Sequence, residues 1–405
     1  MPATSRENAS EPAETRKDDV LDVVIARVGS ELASSFQALL SRLPGAPHRP
    51  QELARELRIN KDLSSRILKA TESRDPIATT HLMPGPEPLR RLIRAAARRN
   101  VNGEAVRSAE QSVRRFEQLI RNVAGDRSGL DTIISAWLPQ VREKAELLSK
   151  QAVFKGMSQI KGAAADVDFI TRFVHPAADG DGYDYVLLSG SLGLRRLRPG
   201  TMLTVNSFPM HGPTDSRRML TLEGKAATGQ QDVMLDAFCS SPLPRFEIRR
   251  EGDVTCMTLC GEEVGLRSAA DLAWAHVHRS CRIRSVFSTV NMPARLGVCD
   301  LMLHPSIAAD MQQALPKLEI YDTTERGIAQ FGDASRRSDL LDIKADVQHL
   351  GQGVSHFRCA EIPRYIEMIE HVCAAMNWDA TCLHGYRCAI DYPVYGSQVI
   401  LSFGG

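Results

Sequence analysis

The first 238 residues of this 405-residue chain contain no cysteine; all nine thiols lie between Cys239 and Cys388. An odd count confined to one half does not build the even framework of a disulfide-stapled secreted domain. The sequence shows no apolar run near the ~20 residues that a membrane helix needs. Met1–Lys17 is polar and acidic and lacks the apolar core of a signal peptide. These absences lead to the expectation of a cytoplasmic protein with reduced thiols and no membrane partner.

Enzyme signatures are missing too. Gly190-Ser191-Leu192-Gly193 resembles a phosphate-binding turn, but no Gly-Lys-Ser/Thr follows it. There is no Gly-x-Ser-x-Gly elbow and no His-Glu-x-x-His. The acidic run from Asp179 to Asp184 has Gly190 where a calcium loop needs its twelfth-position carboxylate, so it reads as a surface turn. His276 and His278 would share a face on a strand, but Asp271–Ala275 before them reads as helix, where the two imidazoles diverge. Cys256 and Cys260 would sit ~13 Å apart on a strand, too far to share one ion. Cys382, His384 and Cys388, with His371 or Cys373 nearby, lack the paired knuckles of a structural zinc site. No catalytic residue, metal site or cofactor is assigned.

What the chain does have is a local basic excess. Its overall net charge is only +1, with 43% hydrophobic and 24% charged residues, ordinary values for a globular chain of two or three domains. Between Ala46 and Asn122, however, sixteen Lys/Arg stand against nine Asp/Glu, an excess of +7. Such an excess is the footprint of a phosphate-binding face, or else of a solvated helix surface.

Inside that segment, Arg49–Ala70 reads as two short helices joined by a tight turn. Pro50 suits a first helical turn. Leu53, Ala54 and Leu57 share one face, and Asn60 is a good N-cap for the second helix. That helix turns Leu63, Ile67 and Leu68 inward and leaves Lys61, Ser64, Ser65, Arg66 and Lys69 facing out. The stretch resembles the helix-turn-helix of winged-helix bacterial transcriptional regulators of the IclR and MarR type. The resemblance covers roughly 25 residues and departs from the family at Arg58, where a turn glycine is usual, and at Ser64, where a buried aliphatic is usual. It implies that the second helix lies in the major groove of double-stranded DNA, with Lys61, Ser64, Ser65, Arg66 and Lys69 at bases and phosphates. A wing needs two strands, and the following segment offers one short candidate, Ile77–Leu82. Farther on, Arg90, Arg94 and Arg98 repeat every four residues on one face of a helix over Glu87–Asn100. They repel one another unless phosphate, or acidic side chains elsewhere in the fold, answers them.

The remaining elements complete an α+β expectation. A disordered tail covers 1–17, an all-helical helix-turn-helix domain 18–100, a helical linker or dimerisation segment 101–162, and a mixed α+β sensor or assembly domain 163–405. A first helix should span Asp19–Leu43, with Gly29-Ser30 as a possible break. Val106, Ala109, Val113, Phe116, Ile120 and Val123 form a short heptad seam. Strands are expected at Tyr185–Leu188, Met202–Asn206, Met219–Leu222, Phe246–Arg249, Val254–Leu259, Val286–Val290 and Gln398–Phe403, and helices at Ala269–Val277, Ser306–Leu315 and Pro363–Met376. The composite reading is a homodimeric DNA-binding regulator with a ligand-sensing or oligomerisation domain for a small-molecule effector. The alternatives are an enzyme with an unrecognised C-terminal site and a structural assembly protein.

Overall fold

The computed structural model describes residues 17–46, 48–99, 101, 103–209, 219–251, 254–311 and 314–403. Apart from Lys17, the expected tail lies outside the described residues. The chain divides into two compact units, Met1–Ala145 and Glu146–Gly405. The first is helical and the second rich in β-sheet, so the fold is α+β in the order the sequence implies.

The first unit begins with α1 (Lys17–Leu40), followed by α2 (Pro50–Leu57), α3 (Lys61–Glu72), α4 (Pro76–Leu82), α5 (Pro86–Ala97), α6 (Gly103–Leu119) and α7 (Arg127–Ser135). Ile25, Leu32, Phe36 and Leu39 of α1 are wholly buried, a stripe with helical spacing. Gly29-Ser30 does not divide the helix. A Cβ at Gly29 would collide with the Pro76 carbonyl, so this glycine is where α4 crosses α1 in close contact. By length and average apolarity α1 is long enough to cross a membrane over Leu21–Leu40, a span the sequence pattern had not suggested. Asp22, Arg27 and Glu31 interrupt that span, and its apolar stripe forms the core of this unit.

Ile77–Leu82 is helix rather than strand. The Asp75 carboxylate accepts the Ile77 N–H at 2.8 Å, Pro76 occupies the first turn, and the Thr80 hydroxyl donates to the Ile25 carbonyl at 3.1 Å. A cap and a tertiary hydrogen bond outweigh the β-propensity of isoleucine and threonine. Among the described residues of this unit no strand forms, so the motif carries no wing. The seam on α6 is buried within the unit: Ala109, Val113 and Phe116 join the core, and Ser112 shares a 2.8 Å hydrogen bond with Ser35 of α1.

A long helix, α8 (Pro139–Lys161), runs across the boundary between the units. The second unit then contains β1 (Ala163–Pro176), β2 (Tyr183–Arg196), β3 (Leu203–Pro209), β4 (Phe246–Glu251), β5 (Val254–Leu259), β6 (Ala270–Cys281), β7 (Ser285–Thr289) and β8 (Ala294–Leu303). These are followed by α9 (Pro305–Asp310), β9 (Lys317–Asp322), β10 (Val347–Gln352), α10 (Tyr365–Met376), β11 (His384–Asp391) and β12 (Ser397–Ser402). The central sheet has the order β10-β11-β8-β1-β2-β6; β1 runs antiparallel to β2 but parallel to β8. One face carries α10, whose Met368, Ile369 and Val372 meet Phe169, Phe173 and Val186. The other face joins the small sheet β7-β12-β9 through Val286, Val399 and Leu401. A third sheet, β3-β5-β4, packs Leu203 and Leu259 against Trp274.

Ala269–Val277, expected as helix, is most of β6. Ala273, Ala275 and Val277 enter the α10 core while Leu272 and Trp274 enter the core shared with β3 and β5. Burial on both faces erases the alternation that marks a strand. Met219–Leu222, expected as a strand, forms only isolated bridges through Leu220. The helix expected over Ser306–Leu315 is the shorter α9.

A buried ionic cluster ties α10 to the sheet. Arg387 grips Asp300 with two nitrogens at 2.7 and 2.9 Å; the Tyr365 hydroxyl donates to Asp300 at 2.6 Å and accepts from Thr171 at 2.6 Å. Burial holds the Asp300 carboxyl above its ordinary range even though Arg387 pulls it down.

Candidate nucleic-acid interface

The turn between α2 and α3 closes as tightly as a glycine would allow. Arg58 takes the left-handed conformation, φ 52° and ψ 46°, and the Ile59 N–H returns to the Ala54 carbonyl at 3.0 Å. For a residue with a Cβ that conformation costs about 1–2 kcal/mol. Asn60 then caps α3, its side chain accepting the Asp62 N–H at 2.7 Å.

Ser64 requires a correction. It does not face out: it is fully buried, in the same stripe as Ile67, Ala70 and Thr71, and its hydroxyl donates to the Asn60 carbonyl at 3.2 Å. Position 64 lies one turn before Ile67 at the middle of the inward face, where a small side chain can be buried because its hydroxyl is satisfied by the preceding turn. It therefore cannot touch DNA. Lys61 and Lys69 are exposed and Ser65 half-buried, spaced four apart along one outer face of α3. Arg66, also exposed, turns toward α5.

There it meets a groove of about 1020 Å³ between the α2–α3 turn and α5. Arg58, Arg66, Arg91, Arg94, Arg98 and Arg99 line it, against Glu56, Asp62 and Glu87. Two arginines are engaged. Arg94 binds Glu87 at 2.6 Å, and Arg99 donates to the Glu56 carbonyl at 2.6 Å with the Glu56 carboxylate 3.5 Å away. Among the described residues Arg58, Arg66, Arg91 and Arg98 have no acidic partner, and all four are exposed. The positive field reaches inward: Arg127, its pKa lowered first by burial, is lowered further by Arg66.

Of the arginine face expected on α5, Arg94 and Arg98 line this groove and Arg90 does not. Arg90 is bound to Glu117 of α6, and that hydrogen bond holds the Glu117 carboxyl below its usual range. Acidic side chains thus answer Arg90 and Arg94, and among the described residues none answers Arg98. The pattern of every fourth residue missed Arg91, Arg58 and Arg99. Arg91 was findable, because burial of Leu89, Leu92, Ile93 and Ala96 turns positions 91, 94 and 98 to the opposite side. Arg58 and Arg99 line the groove through the tertiary fold.

The second unit has a smaller cavity of about 490 Å³, lined by Asp168, Ser191, Trp274, Lys161 and Asn291 among others. Burial pushes the Asp168 carboxyl up to about 6, although the Ser191 hydroxyl donates to it at 2.7 Å. His276 and His278 lie on β6 and so share a face, their rings 5.1 Å apart. Among the described residues no group of three or more His, Cys, Asp or Glu gathers in a metal-ligand arrangement.

No family model matches this chain, and no curated protein matches it. Among solved structures it has a slight likeness to a protein from Parabacteroides distasonis provisionally called a protease. The identity is 8% and the TM-score 0.27, over 60% of this chain and 40% of that one. The chain thus spans less than half the length of that protein, and the likeness carries no argument about fold or activity.

Proposed function

We propose that the first unit binds double-stranded DNA and that the chain is a DNA-binding regulator. The observation that carries this reading is the groove in which the α2–α3 turn and α5 converge, with four exposed, unpaired arginines on one surface. Unpaired guanidiniums held close together repel one another, and a polyanion relieves that repulsion. In this arrangement Arg58, Arg91 and Arg98 contact phosphates and supply affinity, while Lys61, Ser65, Arg66 and Lys69 on α3 supply what sequence preference there is. The second unit senses a small molecule or mediates assembly. Two chains per operator is the arrangement a helix-turn-helix ordinarily uses, and α6 does not provide the pairing surface, since its seam is buried.

The test is a gel shift of the full chain with random and selected duplexes at low and moderate salt. Retardation at low salt that weakens as salt rises is expected; no retardation at any salt refutes the reading. Arg66→Ala should weaken selected sites more than random DNA, and an equal loss removes Arg66 from base readout.

A further inference from the structure

On the face of the central sheet opposite α10, the strand register sets residues in rows across β1, β2 and β6. Arg172 stands beside Leu187 and Leu187 beside His276; in the next row Val174 stands beside Tyr185 and Tyr185 beside His278. Arg172 is only 4% exposed. Its Nε donates to the Tyr185 hydroxyl at 2.8 Å. Among the described residues that is its one side-chain hydrogen bond, and no carboxylate lies within ion-pair reach of it. A buried guanidinium is ordinarily met by a carboxylate, because an unanswered charge out of water is costly. The nearest acids are occupied elsewhere or lie on the α10 face. Asp168, on this face, accepts from Ser191; Asp184 and Asp300 lie on the other face, bound to Arg279 and Arg387.

The neighbours are donors or neutral. Tyr185 accepts from Arg172 and keeps its own O–H to donate onward. His276 is half-buried and uncharged at neutral pH, since burial, then His278 and Arg172, press its pKa down to about 3. Tyr185, Leu187, His276 and His278 are half-buried, so solvent reaches the outer part of the face in part.

We propose that Arg172, the Tyr185 hydroxyl and His276 bind a small oxyanion, a carboxylate or phosphate group, on this face. The two free nitrogens of the guanidinium fork match two oxygens of such a group, and Tyr185 and neutral His276 each offer one further donor. The inference gives chemistry to the ligand-sensing role proposed for the second unit. It rests on that role and not on DNA binding.

The test titrates the full chain with inorganic phosphate and, separately, with acetate, reading the melting temperature and the His276 imidazole resonances. The melting temperature should rise with one or both anions, and the His276 signals should move. A response to phosphate alone identifies a phosphoryl ligand, and one to acetate alone a carboxylate. Arg172→Met should melt no lower than the wild type without anion, because it removes an unpaired buried charge, and should lose the anion response. Arg172→Lys should bind roughly tenfold more weakly, because a point charge replaces the fork. Wild-type protein that responds to neither anion at tens of millimolar, or Arg172→Met that responds as the wild type does, overturns the proposal. Should Arg172→Met not fold, the His276 resonances of the wild type decide alone: no movement overturns it. A gel shift run alongside reads DNA binding separately, so either reading can fail without the other.

Discussion

Replacing Arg91 and Arg98 together by glutamine removes two of the four unpaired guanidiniums in the groove and disturbs no ion pair. The effect can be worked out from counterion release. Each phosphate neutralised on duplex DNA contributes about −0.9 to the slope of log K against log salt, so the three phosphate contacts of Arg58, Arg91 and Arg98 give about −2.7 per bound chain and Arg58 alone about −0.9. Raising salt from about 50 to 200 mM should weaken the wild type by roughly 40-fold and the double variant by only roughly 3- to 4-fold. Fluorescence anisotropy with a labelled random-sequence duplex at four salt concentrations reads both slopes directly. Asp62→Asn is the companion variant: Asp62 is an exposed carboxylate in the same groove, and its removal should tighten binding by about 0.5–1 kcal/mol at low salt. Identical slopes for the wild type and the double variant would show that DNA, if bound at all, does not lie in this groove.

Three predictions concern stability. Asp168 has a folded-state pKa of about 6, above its unfolded value, so the folded state holds its proton longer. Its contribution is therefore fully present below about pH 4 and lost as pH rises through 6, a loss of up to about 3 kcal/mol. Asp168→Asn should accordingly gain stability over the wild type at pH 8 but not at pH 4 in urea titrations; a variant weaker at both would contradict this. Gly29→Val drives a side chain into the Pro76 carbonyl and the Thr80 hydroxyl, and should cost about 1–3 kcal/mol or more, read as a lower melting temperature by circular dichroism. Arg387→Met leaves Asp300 buried with Tyr365 as its remaining donor, and should cost about 3–5 kcal/mol by denaturant unfolding; a neutral result would mean that the carboxyl is carried protonated.

The first unit was the more legible because its signals are local. Pro50, Asn60 and the spacing of Leu53, Leu57 and Ile67 place α2 and α3 where they lie. Ser64 misled because polarity was read as exposure, whereas a serine in a helix can satisfy its hydroxyl on the preceding turn and be buried. Ile77–Leu82 misled because β-branched residues outvoted an Asp-Pro start signal that marks a helix. In the second unit β6 over residues 272–275 and β8 over residues 298–303 are buried on both faces and show no period of two there. Their pairing was also out of reach, since the partners of β1 include a strand on the far side of β7. The groove itself was half legible. Arg66, Arg94 and Arg98 carry a sequence pattern, but Arg58 and Arg99 enter only because α2 packs beside α5.

The parallel pairing of β1 with β8 sets the order in which this chain can assemble. Ala165 waits for Ala294 and Val174 for Leu303, while β2 is at hand as soon as it is made. During synthesis, β1 with β2 and β6 forms a ribbon whose open edge is β1 itself, carrying Val167, Phe169 and Phe173. That edge is long, apolar and unpaired until β8 emerges, the condition in which a strand from another chain is captured. A chain ending shortly before Ala294 should therefore aggregate although every element it contains is intact. One extended past Asp391, with β8 and β11 both in place, closes the edge from within.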